Sequence, residues 1–139
     1  MRRIITSVLA TGVLLLSGLT LAPTAQAAVT DCPDESGYFC FWTDVDYGGP
    51  MGKVSGNNPD WGDFTGGCNT TSRWDNCASS LRNEGLRCEV VVYQYTNYGG
   101  SSWVINRDTR AANLTQWAKP SGGTWNDAIS SNDWWCGQA

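Results

Sequence analysis

From residue 38 onward the chain alternates short runs rich in aromatic and β-branched residues with clusters of glycine, asparagine, aspartate and serine. "YFCFW" (38–42), "CEVVVYQY" (88–95) and "SSWVI" (101–105) have the composition of strands. "DYGG" (46–49) and "NYGG" (97–100) are turn chemistry, glycine supplying backbone angles that other residues resist. "ASSLRNEG" (78–85) and "ISSNDWW" (129–135) predict final strands or entries into them, and "DTRAANLTQW" (108–117) alone suggests a short helical turn. Short strands punctuated throughout by turn residues, with no sustained helical period, predict an all-β sandwich.

The same pattern occurs twice. "WTDVDYGG" (42–49) and "YQYTNYGG" (93–100) share an aromatic residue, four positions, a tyrosine and two glycines, at an offset of 51 residues. "WDNCASS" (74–80) and "WNDAISS" (125–131) recur at the same offset of 51. Two different motifs with one spacing indicate a duplication of about fifty residues, hence one pseudo-symmetric domain rather than a solenoid. The segments between them, "MGKVSGNNPDWGDF" (51–64) and "SSWVINRDTRAANLTQW" (101–117), align only loosely.

Residues 1–27 have a different character. Arg2 and Arg3 precede an apolar run, and "AQA" (25–27) closes it with a small-x-small pattern, which predicts a signal peptide cut before Ala28 and an exported chain of residues 28–139. Without Arg2 and Arg3, seven basic residues face thirteen acidic ones, a net charge of about −6. That balance disfavours nucleic acid and anionic membrane as partners; the expected state is a monomer. All six cysteines (Cys32, Cys40, Cys68, Cys77, Cys88 and Cys136) follow the leader. In a small exported domain they read as three disulfides, which allow fifteen pairings. Proximity in sequence favours Cys32–Cys40 and Cys68–Cys77, leaving Cys88–Cys136. Zinc is disfavoured, because there is no histidine and no Cys-x-x-Cys spacing.

The absence of histidine also removes the usual general base and every histidine-dependent nucleophile. Two carboxylate pairs remain, Asp44 with Asp46, beside a tight turn where solvated acids are ordinary, and Asp60 with Asp63; carboxylate chemistry of the glycosidase kind needs a cleft between the pair, which a compact two-repeat sandwich does not offer. The expectation is therefore a non-enzyme with no catalytic residues. Trp74 and Trp125 recur at the repeat offset and are expected in the core. Of the adjacent Trp134 and Trp135, only one can face inward from a strand. "NTT" at Asn69 and "NLT" at Asn113 match a glycosylation acceptor pattern, whose use is not expected in an exported chain of bacterial appearance.

Together the aromatic-x-x-x-x-aromatic-x-Gly pattern at Trp42–Tyr47–Gly49 and Tyr93–Tyr98–Gly100 and the pattern [Asn/Asp]-[Asn/Asp]-x-x-[Ser/Thr]-Ser in "DNCASS" and "NDAISS" resemble the two Greek keys of a βγ-crystallin domain. The resemblance spans about residues 38–136, with the first key at about 38–86 and the second at about 87–136. It implies two calcium sites, each shared between the keys. One would use the Ser79 hydroxyl, the Asn76 carbonyl, the Asn126 side chain and the Thr96 carbonyl. The other would use the Ser130 hydroxyl, the Asp127 carbonyl, the Asp75 side chain and the Val45 carbonyl. The charged Asp75 would make that second site the tighter, since fewer charged ligands bind calcium more weakly. The alternative is that these side chains only hydrogen-bond local backbone. The layout, with "DYGG", "NPDWGDF", "CASS" and the final "WNDAISSNDWW", is further similar to the Streptomyces metalloproteinase-inhibitor family. That likeness implies an extracellular peptidase inhibitor with a metalloproteinase partner. A disulfide-braced loop at residues 66–77, with Arg73 and Trp74 near its rim, is the candidate inhibitory segment. A calcium-stabilised extracellular module with no protease target is the alternative.

Overall fold

Strand formation follows the alternation read from the sequence, and the computed structural model describes residues 31–68 and 72–137. The leader, the cut before Ala28 and the Asn69 acceptor lie outside the described residues. Seven strands are found among those described: β1 (Phe39–Trp42), β2 (Met51–Val54), β3 (Ser80–Asn83), β4 (Glu89–Tyr95), β5 (Gly99–Ile105), β6 (Arg110–Ala111) and β7 (Ser131–Trp135). They form two antiparallel sheets, ordered β2-β1-β3-β6 and β5-β4-β7. The fold is an all-β sandwich of two Greek keys.

Each half lends a segment to the other's sheet. β6, from the second half, pairs with β3 of the first through Leu81 opposite Ala111. In return Asn58, from the first half, bridges Asn132 on β7. The exchange buries Phe39, Phe41, Trp61, Trp74 and Leu81 against Val90, Val92, Ile105, Leu114, Trp125 and Ile129 in one core. A shared core of this kind ties the stability of each half to the other. Trp74 and Trp125 are thus core residues, as their recurrence predicted, and Trp135 is 57% exposed where Trp134 is packed.

The helical turn expected in 108–117 is a 3-10 turn at Leu114–Gln116, capped by the Asn113 side chain accepting from Thr115 N. Its counterpart, not foreseen, is Trp61–Asp63, capped by Asp60 in the same way. These turns stand 53 residues apart, not 51. The two extra residues in the second half are offset in the following loops: Thr65 bridges Arg73, whereas Ala118 bridges Thr124, a span two residues shorter. This pair of compensating length changes explains why the middle segments align only loosely.

The disulfides run Cys32–Cys40, Cys68–Cys77 and Cys88–Cys136. The first fastens residues 31–38 across the outer face of the first sheet, where Cys40 and Trp42 are buried with Tyr38, Tyr47 and Met51. Asp34 also joins a charged cluster there: buried Arg82 pairs with Asp34 at 2.7 Å and with buried Glu84 at 2.5 Å, and Arg110 reaches Asp34 at 2.8 Å. The third closes the chain end on the connection between the halves, where Trp134 covers Gly85 so closely that a Cβ there would overlap its ring.

Candidate functional site

Both serine motifs begin at a tryptophan fixed in the core, so each polar loop starts from a rigid anchor. Two residues on, Asn76 (φ 55°) and Asp127 (φ 51°) adopt the left-handed conformation that Asn and Asp tolerate better than most residues. The turn aims each loop's backbone at the other. Asn76 N donates to Ile129 O and Asp127 N to Ala78 O, both at 3.0 Å. The two loops are thereby hydrogen-bonded to each other across the pseudo-twofold axis.

The side chains cross in the same way. Ser79 Oγ donates to Asp127 Oδ1 and Ser130 Oγ to Asn76 Oδ1, each over 3.4 Å. Asn76 Nδ2 donates to Asp75 Oδ2 at 3.0 Å, and Asn126 Nδ2 to Asp127 Oδ2 at 2.6 Å. Partial burial raises the Asp127 carboxyl above its ordinary range, against the lowering effect of hydrogen bonds from Ser79 and Asn126. Asp75 Oδ1 is buried and has no hydrogen-bond partner. A buried carboxylate oxygen left unpaired is costly unless something positive meets it.

The last serine of each motif has a role that sequence reasoning missed. Ser80 Oγ donates to Asp44 O at 2.7 Å and accepts from Tyr47 N at 3.1 Å. Ser131 Oγ repeats both bonds with Tyr95 O and Tyr98 N, at 2.7 and 3.1 Å. In each hairpin two successive residues, Asp46–Tyr47 and Asn97–Tyr98, are left-handed, and the serine satisfies the backbone groups they leave unpaired. The signal was present, since "SS" recurs in both motifs with only its first serine given a partner.

These clamps correct the expected grouping of the hairpin carbonyls. Ser80 holds the Val45 hairpin beside its own neighbour Ser79, and Ser131 holds the Thr96 hairpin beside Ser130. Asp75, Asn76, Thr96, Asp127 and Ser130 accordingly line one recess of about 410 Å³, with Lys119 at its side. Thr96 therefore lies with Ser130 and Asp75 rather than with Ser79, and the Val45 hairpin is held beside Ser79 rather than Ser130. A hairpin packs on the last strand of its own Greek key, whereas only the serine loops reach across. Lys119 was not anticipated. Among the described residues no three His, Cys, Asp or Glu side chains gather as a metal cluster. The recess offers instead carboxylate, carboxamide, hydroxyl and backbone carbonyl oxygens, the mixture that suits a hard cation. The unpaired Asp75 oxygen is where such a cation would be most needed.

The loop at 66–77 is braced as expected by Cys68–Cys77, but its two singled-out residues face inward. Trp74 is 1% exposed and packs on Phe41 and Phe64. Arg73 is half-buried, and its Nη1 donates to Gly62 O at 2.5 Å. The bridge to Thr65 sets Arg73 at the loop's base and leaves Trp74 to anchor it, which corrects their placement at the rim. Of the carboxylates, Asp60 serves as the cap already described, and Asp44 lies in the hairpin that Ser80 clamps.

Solved structures similar in fold to this chain are βγ-crystallins. One, solved in work on the evolution of the eye-lens βγ-crystallin domain fold, matches with a TM-score of 0.59 at 21% identity, covering 76% of this chain and 91% of that one. The βγ-crystallin from Ciona intestinalis gives 0.54 at 18%, over 70% and 99%. A βγ-crystallin domain from Flavobacterium johnsoniae gives 0.51 at 26%, over 73% and 97%. No curated protein matches the sequence. The model of peptidase inhibitor family I36 matches residues 25–105, which takes in the whole first Greek key, the braced loop and the hairpin of the second. With more than half of its length in that match, the chain belongs to peptidase inhibitor family I36, a family of inhibitors rather than enzymes.

Proposed function

We propose that the protein is an exported inhibitor of an extracellular metallopeptidase, built on a scaffold that binds two calcium ions. The observation that carries the reading is the family match over residues 25–105. Residues 1–27 would direct export, in keeping with three disulfides that call for an oxidising compartment. The Greek keys run about 38–86 and 87–136. The segment offered to the protease lies in loop 66–77, braced by Cys68–Cys77, of which residues 69–71 lie outside the described residues. A loop held in shape by a disulfide gives up little conformational freedom on docking, so more of the contact energy appears as affinity.

One calcium ion would be held by Ser130, Asp75 and the carbonyls of Asp127 and Thr96. The other would be held by Ser79, Asn126 and the carbonyls of Asn76 and Val45. Each ion would cross-link loops from both keys and stabilise the folded chain, because the unfolded chain has no such site. A second reading, a calcium-stabilised module with no protease target, is favoured by the inward-facing Arg73 and Trp74. One assay separates them: the protein is mixed with a thermolysin-like metallopeptidase, with and without calcium. Stoichiometric inhibition by intact protein supports the inhibitor; survival of the protein with the protease fully active supports the module.

A further inference from the structure

We infer that Lys119 sets the order of the two cation sites, making the Ser130 site the weaker and the Ser79 site the tighter. This rests on the calcium reading above. The sequence expectation ranked the sites by the first motif position, Asp75 against Asn126, which favours the Ser130 site. The crossing of the side chains cancels that difference. Because the second motif residue also faces the partner's serine, Ser130 is served by Asp75 and Asn76. Ser79 is approached by Asp127, which in turn accepts from Asn126. Position by position each serine thus has one carboxylate and one carboxamide, and Asp127 lines the Ser130 recess as well.

What remains unequal lies around them. Lys119 lines the Ser130 recess together with Asp75. Its equivalent, counted from the bridging pairs Ala118–Thr124 and Thr65–Arg73, is Gly66, which has no side chain. The hairpins differ in the same sense. The one clamped beside Ser79 carries Asp44 and Asp46, where the one beside Ser130 has Tyr95 and Asn97. Arg82 and Arg110 lie beyond Tyr47 on the Ser79 side but are paired with Asp34 and Glu84. A divalent ion entering the Ser130 recess therefore meets an ammonium beside the Asp75 and Asp127 that line it, whereas the hairpin clamped beside Ser79 brings two further carboxylates and no lysine. An ammonium at the rim opposes a cation by Coulomb repulsion, weakened but not abolished by solvent.

The test is calorimetric calcium titration of the full exported chain and of Lys119→Met, Lys119→Arg, Ser79→Ala and Ser130→Ala, with melting without calcium to verify each fold. Ser130→Ala is expected to remove the weaker site and Ser79→Ala the tighter. Lys119→Met, which keeps the stem and loses the charge, should strengthen the weaker site by roughly tenfold. It should leave the tighter site unchanged, and Lys119→Arg should behave as the parent does. Loss of the tighter site in Ser130→Ala, or a Lys119→Met titration identical to the parent's, overturns the inference and leaves the calcium reading intact. A parent that takes up no calcium overturns both.

Discussion

Across the first hairpin Phe41 stands opposite Gly52, whereas across the second Val92 stands opposite Trp103. The same inward space is filled from one strand in the first half and from the other strand in the second. Around Phe41 the first half builds a cluster of Trp61, Phe64 and Trp74, with Trp61 stacked on Phe41 at 4.2 Å. In the second half Trp103 stacks on Trp117 at 4.7 Å and approaches Trp125 at 6.0 Å. The outer faces differ more. Disulfide-fastened residues 31–38 and the Arg82–Glu84 pair cover the first sheet, while Tyr95, Val104 and Trp135 stand exposed on the second. A duplicated fold thus keeps its backbone plan and its crossed loops while each half packs, charges and covers itself in its own way.

The comparison breaks most sharply at the buried charges. Glu84→Ala leaves buried Arg82 with exposed Asp34 as its one remaining carboxylate partner beside the Cys32 carbonyl, and should cost about 3–5 kcal/mol in denaturant melts. Asp133→Ala, at the position of the second half that matches Arg82, should change stability by less than about 0.5 kcal/mol. Disulfides come next. Cys88–Cys136 closes a separation of 48 residues and Cys68–Cys77 one of 9. Replacing the first pair by alanine should cost about 4 kcal/mol and the second about 2.5 kcal/mol by loop-closure entropy. Equal losses would show that the denatured chain is not governed by loop length.

A smaller effect tests the exchanged packing. A Cβ on Gly52 would overlap Phe41 and Trp74, so Gly52→Ala should cost about 1–3 kcal/mol. Phe41→Val, which imitates the second half, should recover part of that loss in the double variant. Additive losses would contradict the packing account. The least effect is expected from pH. Burial raises the hydroxyls of Tyr47 and Tyr93 above the usual tyrosine value, so the folded chain holds these protons more tightly than the unfolded one. Their contribution is fully present below pH of about 10 and is lost as pH rises through the raised values. Melting between pH 8 and pH 11, followed with tyrosinate absorbance, should show the decline beginning in that range.

Much of the fold was legible because hairpins and serine loops are local devices: glycine, asparagine and serine at fixed offsets reveal them. The 3-10 turn at Trp61–Asp63 was not, because a two-residue gain before its counterpart and an equal loss after it hide the correspondence. The Arg82 cluster was equally hidden, since its partner Asp34 is 48 residues distant and a strand with "SLRN" gives no sign of burying its arginine. In the site, the residue types were readable but not their company. Which hairpin joins which serine depends on Ser80 and Ser131, and Lys119 enters only through the fold. Arg73 and Trp74 looked like rim residues because a disulfide flanks them, but an aromatic core took one and a backbone carbonyl the other.

We propose that the two serine loops are reciprocal halves of cation sites that join the Greek keys. Thermal melting of the exported chain with millimolar calcium and with a chelator tests it most directly. The account predicts a melting temperature that is higher in calcium and climbs with calcium concentration, as binding to the folded state alone requires. Superimposable melts across that range would contradict it, and would leave the crossed loops as hydrogen-bonded structure alone.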